Sequence, residues 1–555
     1  MWIYDNSNLN ESYSGIVSPA TSSFARRVYR QVYIQFCRLA GVPDHIISQN
    51  DKVFSHMVTA IGGRMYYTLN HWHRMIRLLP GYRLNSQFLE EMMGIDPSLR
   101  GQVSPPPPAP QSIWTPDTLR AIFISVKMLV IFLFMGQLIN HFLRMFDRKS
   151  KQISRQIHQA FTQNLPVEKI LAKYHVWEAD LTRDFSIPIA NDFAVMISVG
   201  LLRRLAGESA AARLTSGLPG VKSAEPGKQF LAILTAISQN KALTRTLLKL
   251  SPPKAYHYIL TDPRAREAKK LLADYIHRFG IRVPGELKLE SLSFQTDPVR
   301  LISLIQSHLL HPPVVSPLPA TPSGQSQPTG WLVRLVARWA QVSISRREET
   351  RFQRAVAFGL VRDILQGLGR RLNQSGQLDQ IADIFYLTID DLDNYPRIKN
   401  SFRRLVRTRR REETAFSTLN LPSRLVSPTP EVDLTQFATV STASKTPRLL
   451  WGTVACAGLS RQVRGEAVVM PEFDATREVV GKILVTAQTD PGWTIIFPLL
   501  KGLVVERGGV LSHASIVSRE FGLPCIVGAA GAASTIKNGL RINMDMGTGK
   551  IWQPS

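Results

Sequence analysis

The stretch 508–528 reads GGVLSHASIVSREFGLPCIVG, and it places one histidine, His513, between a glycine pair and the start of a short predicted helix. Gly508 and Gly509 allow the backbone to make a tight turn. Ser512 is a residue type that caps helices by accepting a hydrogen bond from the first turn. The pattern therefore predicts that Gly508, Gly509 and Ser512 support a loop that holds His513 at a helix N-terminus.

The position at a helix N-terminus has a chemical consequence for His513. The positive end of the helix dipole disfavours imidazolium, so the ring stays neutral and nucleophilic near pH 7. The same end favours a phosphoryl dianion once it is attached. Ala514, Val517 and Phe521 recur on one helical face and predict packing against a core. A phosphoryl-carrying histidine is the prediction, and an ordinary loop histidine beside a buried helix is the alternative.

The same stretch resembles the phosphohistidine motif of a swivelling domain, the mobile domain of PEP-utilising enzymes. This domain is shared by phosphoenolpyruvate synthase, pyruvate phosphate dikinase, rifampicin phosphotransferase and enzyme I of the sugar phosphotransferase system. In those families the histidine of a Ser-His-Ala segment carries a phosphoryl group between two active sites. The resemblance makes His513 the carrier, with Ser512 and Ala514 as supporting residues. Leu511 stands where those families commonly have a threonine, so a hydroxyl for regulatory phosphorylation is absent there.

The residues around this loop predict a complete small α/β domain. Short apolar runs alternate with turn residues, as strands in such a domain do. The predicted strands are GEAVVM at 465–470, KILVTAQ at 482–488, GLVVERG at 502–508, PCIVG at 524–528 and RINMDM at 541–546.

Thr489 and Asp490 begin a second segment of interest within this domain. Together with Pro491 and Trp493 they resemble the Thr-Asp-Pro segment that precedes a helix near the histidine loop in the same families. An aspartate directly before a proline also suits a helix N-cap followed by proline at the first helical position. Both a phosphate or docking role and a capping role stay open for Thr489 and Asp490.

Composition indicates a globular protein in a reducing compartment. The chain has 555 residues, of which 44% are hydrophobic and 20% charged, and this is ordinary for a protein with large cores. Cys37, Cys456 and Cys525 lie far apart and form neither a metal-binding nor a disulfide spacing. The N-terminal residues lack the basic leader and apolar core of a secretion signal. We expect a cytoplasmic protein without its own metal site.

The net charge of +25 raises nucleic acid as a partner, but the distribution of the charge argues against it. Basic residues are scattered along the chain. The densest run, RRLVRTRRREE at 403–413, predicts a solvated helix face. We therefore expect no specific nucleic-acid partner.

The run AIFISVKMLVIFLFMG at 121–136 is the place where a membrane must be considered. A spanning helix needs about 20 apolar residues, and this run is shorter and contains Lys127. A buried helix is therefore favoured over a membrane span. Basic residues follow the run, so a peripheral membrane contact through 121–136 stays open.

The chain upstream of the histidine domain predicts helices, because apolar residues recur there every three or four positions. We expect a mixed fold class, with a large mainly α-helical N-terminal region (1–426) followed by a small C-terminal α/β swivelling phosphohistidine domain (449–555). Proline-rich stretches near 105–110 and 311–330 predict insertions, and the polar segment 427–448 predicts a linker.

The helical region carries its own resemblance, to the middle domain of phosphoenolpyruvate-synthase-like and rifampicin-phosphotransferase-like proteins. The stretches 2–29, 62–82 and 376–392 carry it. The first contains the Asn-Glu-Ser element that follows an ATP-grasp nucleotide domain in such proteins. The resemblance therefore implies that a separate ATP-grasp protein supplies ATP and Mg²⁺, and that this chain alone binds neither.

Candidate residues for an unknown small-molecule acceptor come from the same region. Asn10 and Glu11 lie in the Asn-Glu-Ser element, and a local capping or pairing role for Glu11 stays open. Arg64 begins the polar and aromatic cluster of 64–74, which we expect along one helix. That cluster suits an aromatic or anionic ligand, and packing of an amphipathic helix is the alternative.

Two functions remain from the sequence. The first is a phosphotransferase subunit in which His513 carries a phosphoryl group from an ATP-binding partner to an acceptor in the helical region. The alternative is a noncatalytic binding or regulatory protein that keeps the fold of a phosphoenolpyruvate-synthase-like enzyme.

Overall fold

The structure is a computed structural model. Several segments named above lie outside the residues that it describes. They are the predicted insertion at 105–110, residues 121–125 and 128–129 of the apolar run, residues 311–329 of the second predicted insertion, and Leu511. The described residues are 1–7, 9–78, 126–127, 130–207, 210–211, 214–215, 224–309, 330–395, 402–437, 449–458, 460–474, 477–509 and 512–553.

The N-terminal region is mainly α-helical, as its periodicity predicts. Several of its helices begin with proline at the first turn, where the missing N–H has no helical partner to lose. Its helices among the described residues are α1 (Pro19–Leu39), α2 (Asp44–Gln49), α3 (Asp51–Ser55), α4 (Leu69–Leu78), α5 (Met135–Thr162), α6 (Val167–Thr182), α7 (Ser186–Ala206), α8 (Glu225–Gln239), α9 (Lys241–Lys249), α10 (Pro252–Thr261), α11 (Arg266–Phe279), α12 (Pro298–Leu309), α13 (Trp331–Gln374), α14 (Ile389–Asp393) and α15 (Phe402–Ser417).

A small antiparallel sheet also belongs to this region. Its strands lie in the order β2-β3-β1-β4. The prediction of one helix over 64–74 is therefore wrong for its first part, because 64–68 pairs with a strand on each side and only then does α4 begin. The strands are β1 (Trp2–Asp5), β2 (Val58–Ile61), β3 (Arg64–Thr68) and β4 (Arg424–Ser427).

The predicted linker starts within this folded part. Ser427 ends β4, and the Tyr4 hydroxyl donates a hydrogen bond to the carbonyl of Pro430. Leu434 and Phe437 pack against a small cluster of apolar side chains that includes Tyr4. The remainder of the predicted linker, 438–448, lies outside the described residues.

The C-terminal domain is the α/β unit that the sequence predicts. One eight-stranded sheet has the order β5-β12-β11-β7-β8-β9-β10-β6, and β7, β8, β9 and β10 are parallel neighbours. All five predicted strands are present. Its elements are β5 (Leu449–Trp451), β6 (Thr453–Cys456), β7 (Gln462–Val469), β8 (Ile483–Thr486), β9 (Gly502–Val505), α16 (His513–Phe521), β10 (Cys525–Val527), α17 (Ala532–Thr535), β11 (Arg541–Asp545) and β12 (Lys550–Trp552).

The described chain divides into two compact units. Unit 1 contains Met1–Ser198, Leu287–Glu290 and Thr350–Ser441. Unit 2 contains Val199–Glu286, Ser291–Glu349 and Thr442–Ser555, so helices α8 to α12 and the C-terminal domain share a unit.

The core of unit 2 joins the C-terminal domain to these helices. Apolar side chains of α8, α11 and α12 form one buried cluster with those of β8, β9, β10 and α16. Phe230 and Trp493 are both buried in it. Burial of apolar surface stabilises this arrangement. The domain that holds His513 is therefore packed on the helical part of its own unit.

Two observations bear on the charge and membrane predictions. The run 403–413 is helical, and four of its arginines pair with acids: Arg403 and Arg407 with Asp379, Arg409 with Asp391 and Arg410 with Asp383. Among the described residues, the stretch Val167–Ala206 has the length and apolar composition of a membrane span, and 56% of its most apolar window is buried in the fold.

Candidate functional site

His513 is the first residue of α16, and Ser512 is its N-cap, as predicted. The Ser512 hydroxyl accepts a hydrogen bond from the backbone N–H of Ser515. The Ser515 hydroxyl donates in turn to the carbonyl of Gly509 at 2.7 Å. Gly508 has a φ of +105°, in the range that favours glycine. Cap and turn together fix the start of the helix and therefore the position of the imidazole.

The imidazole of His513 is enclosed, with a different side chain at each ring nitrogen. Nε2 lies 3.0 Å from Oγ1 of Thr494, at hydrogen-bond distance. Nδ1 lies 3.7 Å from a carboxylate oxygen of Glu348, within the range of an ion pair. The side chains of His513 and Glu348 are each only 1% exposed. The ring therefore lies between a hydroxyl and a carboxylate in a site from which water is excluded.

The enclosure limits which groups can bond to the ring nitrogens of His513. The Thr494 hydroxyl occupies the direction in which a phosphorus atom bonded to Nε2 would extend. A phosphoryl group on Nε2 therefore requires this contact to open. Enclosure also strengthens the electrostatic effect of the carboxylate, because little solvent screens it.

Asp490 uses both carboxylate oxygens, and each accepts one backbone hydrogen bond. Oδ1 accepts from Gly492 at 2.8 Å and caps the 3₁₀ helix Pro491–Ile495. Oδ2 accepts from Gly285 at 2.8 Å, in the chain between α11 and α12. The capping geometry is thus present, and the second bond ties the segment to the helical part of unit 2. Thr489 is buried beside it.

Two close backbone approaches hold the same segment against its neighbours. A Cβ on Gly492 would lie 2.1 Å from backbone atoms of Val283 and Pro284. A Cβ on Gly227, in α8, would lie 2.6 Å from the carbonyl of Thr494. Neither position has room for a side chain. The residue that contacts Nε2 is therefore held by helical elements of unit 2 as well as by its own domain.

Thr494 and Glu348 were not predicted as site residues. Thr494 follows the Thr-Asp-Pro segment, so its proximity to that segment was a usable signal. Glu348 lies in the charged run SRREET of α13, where nothing in the local pattern separates it from Glu349. Only the packing of unit 2 brings it to the imidazole.

The predicted acceptor residues lie in unit 1. Asn10 is buried and Glu11 half-buried in a short 3₁₀ helix, Leu9–Glu11, which packs beside β3. Arg64, in β3, donates a hydrogen bond to the carbonyl of Leu419 at 3.1 Å. This bond links β3 to the chain that precedes β4.

In the described ranges, no group of three or more histidine, cysteine, aspartate or glutamate side chains is arranged to hold a metal ion. Cys37, Cys456 and Cys525 are free thiols, and burial raises the pKa of Cys37 and Cys525 to about 12. These two thiols are therefore uncharged near neutral pH.

Comparisons with known families define the class of protein. Residues 479–549 match the PEP-utilising enzyme mobile domain, and residues 186–360 match the rifampicin phosphotransferase fourth domain. The resemblance predicted from the sequence is thereby confirmed, and the chain is similar to phosphotransferases of the rifampicin phosphotransferase type. His513 lies in the first matched segment and Glu348 in the second.

Individual relatives give the extent of this similarity. An uncharacterized protein of Mycobacterium tuberculosis is 26% identical over 559 residues, which cover 99% of this chain and 61% of the relative. The rifampicin phosphotransferase of Streptomyces sviceus is 26% identical over 365 residues, covering 61% of this chain and 41% of that protein. That of Bacillus subtilis is 24% identical over 360 residues, with the same coverage. The chain thus spans at most about six tenths of the length of these relatives.

Proposed function

We propose that this chain is the phosphoryl-carrying part of a phosphotransferase. His513 accepts a phosphoryl group from a nucleotide-loaded partner and delivers it to an acceptor bound by the helical region. The observation that carries the proposal is the place of His513 at the start of a capped helix, within the segment that matches the mobile domain. A neutral imidazole there is a nucleophile, and the helix end favours the anion that it acquires.

The enclosed ring fits a resting state of such a carrier. The Thr494 hydroxyl meets Nε2, so the nucleophilic nitrogen is protected from water and from unintended donors. For either transfer the contact at Nε2 must open. The shared core and the two bonds of Asp490 favour the closed arrangement between transfers.

The donor in this proposal is ATP with Mg²⁺ on a separate ATP-grasp protein. The acceptor is an unidentified small molecule, and Asn10, Glu11 and Arg64 remain its proposed contacts. A cytoplasmic location, without a specific nucleic-acid partner, completes the proposal and agrees with the free thiols.

A labelling experiment tests this arrangement. The purified chain is incubated with ATP labelled in its β- and γ-phosphoryl groups, with and without an ATP-grasp protein from the same cells. We expect acid-labile label only when the partner is present, and none on His513→Ala. Labelling of the highly purified chain by ATP alone contradicts the split arrangement. Absence of label with every ATP-grasp protein of those cells contradicts the carrier role.

One observation favours a second function, namely the near-complete burial of His513. A buried, partnered histidine also suits a noncatalytic binding or regulatory protein. In that case His513→Ala should keep full biological activity in cells, whereas the carrier proposal predicts that activity is abolished.

A further inference from the structure

The carboxylate that faces His513 comes from a different part of the chain. Glu348 belongs to α13 and to the segment 186–360, whereas the imidazole belongs to the mobile domain. The gap of 3.7 Å between Nδ1 and the carboxylate oxygen is longer than a hydrogen bond. Contacts of catalytic groups are often long before substrate is bound. At this distance the carboxylate therefore acts on the imidazole through its charge, not through a hydrogen bond.

A neutral imidazole carries one proton, and the partners of its two nitrogens decide which nitrogen holds it. A carboxylate is an acceptor only, so Glu348 favours the proton on Nδ1. A threonine hydroxyl is both donor and acceptor, so Thr494 can donate to an unprotonated Nε2 at 3.0 Å. Both neighbours are thus satisfied by the same tautomer, with the proton on Nδ1 and the lone pair on Nε2.

We propose that Glu348 is a positioning residue for the carrier histidine, an inference that rests on the proposed function. It holds the ring proton on Nδ1 and thereby makes Nε2 the nitrogen that bears the phosphoryl group. Carboxylates that orient an imidazole through its second nitrogen act in this way in other catalytic and metal sites.

The proton on Nδ1 also governs release of the phosphoryl group. An oxygen of the acceptor forms the new bond to phosphorus, the P–Nε2 bond breaks, and its electron pair stays on Nε2. The acceptor's hydroxyl proton leaves to water. With Nδ1 protonated, the ring departs as neutral imidazole. Without that proton it would depart as imidazolate, a far stronger base and a poorer leaving group.

Because Glu348 lies outside the mobile domain, its effect on the ring proton depends on where that domain is. The mobile domain does not carry the carboxylate with it, so the phosphorylated ring gains it only where α13 faces the histidine. Away from α13 the ring lacks this stabilisation of the proton on Nδ1. Departure of the ring as neutral imidazole is therefore favoured while Glu348 faces it.

The tautomer can be measured directly on the unphosphorylated chain. The full chain is labelled with ¹⁵N-histidine, and the ring signals of His513 among the 12 histidines are assigned from their loss in His513→Ala. We expect the proton on Nδ1 with a preference of roughly tenfold or more over Nε2, the size of effect that a close opposite charge has on a titrating group.

Variants distinguish the effect of the Glu348 charge on the tautomer from an effect of side-chain packing. Glu348→Met should lower the preference roughly tenfold, Glu348→Asp should keep most of it, and Glu349→Gln on the same helix should leave it unchanged. If Glu348→Met does not fold, Glu348→Gln replaces it and should still lower the preference, roughly threefold or more. A proton on Nε2 in the native chain overturns the proposal. An unchanged Nδ1 preference in the variant that removes the charge also overturns it.

This measurement requires neither phosphoryl donor nor acceptor. A chain that shows the expected tautomer but never becomes phosphorylated would contradict the carrier function and leave the Glu348–His513 pairing intact. A chain that becomes phosphorylated, but whose unphosphorylated ring holds its proton on Nε2, would support the carrier function and contradict the role proposed for Glu348.

Discussion

Gly508 and Gly509 precede His513 as a pair, yet the structure requires glycine at only one of them. Gly508 has a φ of +105°, a backbone conformation that residues other than glycine rarely adopt. A Cβ on Gly509 would meet nothing within 4 Å. The sequence predicts the pair as a turn but does not reveal which residue makes the turn possible.

This difference gives a residue-scale prediction. Gly508→Ala should destabilise the loop by about 1–3 kcal/mol, the cost of a strained backbone conformation. Gly509→Ala should be nearly neutral and serves as the matched control. Hydrogen exchange of the first turn of α16 measures the loss. Equal protection in both variants would contradict the assigned role of Gly508.

The position of His513 at the start of a capped helix was predictable because its signal is local. The turn, the cap and the apolar face lie within one short stretch, so Ser512 and His513 follow from the sequence. Glu348 does not, because it reaches the ring through tertiary packing across 165 residues of chain, counted from 348 to 513. Thr494 is intermediate, since the Thr-Asp-Pro segment marks its neighbourhood.

At the scale of elements, the 3₁₀ helix Pro491–Ile495 connects the mobile domain to the helices of unit 2. Asp490 caps it and also bonds to Gly285, while Gly492 lies directly on Val283 and Pro284. Capping and docking were both among the roles left open for Asp490. The geometry of both bonds comes from the packing of unit 2.

Asp490→Ala tests this docking element. The substitution leaves two buried backbone N–H groups without their acceptor, at a cost of roughly 2–4 kcal/mol. We expect faster hydrogen exchange in 281–286 and in 491–495. Asp545→Ala is the control, because Asp545 makes a similar bond to Gly547 at the exposed surface of the same domain and its loss should cost less. Unchanged exchange at 281–286 in Asp490→Ala would show that the bond to Gly285 does not hold the segment.

The strands show where local pattern is sufficient and where it fails. The five predicted strands carry apolar runs, and each is present. β5, β6 and β12 are only three or four residues long, and two exposed apolar residues, Leu449 and Trp451, lie in β5. Pairing with neighbouring strands defines these three strands, so their own residues give little signal. β3 was missed for a different reason: it pairs with β2 across the two-residue turn Gly62–Gly63, which the helical interpretation of 64–74 did not take into account.

For the whole molecule, the predicted order of a helical region followed by an α/β domain is present. The sequence does not show that the helical region itself divides. Two of the boundaries between the units fall within helices, at Ser198 in α7 and at Glu349 in α13. Continuous helical periodicity crosses both points, so no break in the pattern marks them. Glu348 is the residue next to the second boundary and belongs to the unit of His513.

The central claim is that His513 carries a phosphoryl group, and its modification in cells tests this most directly. The chain is isolated from its own cells under mildly alkaline conditions and examined by mass spectrometry, with His513→Ala as the control. We predict acid-labile phosphate on the peptide that contains His513 and none on that peptide from the variant. Repeated absence of phosphate, with full coverage of the peptide, would contradict the carrier function and favour a binding protein.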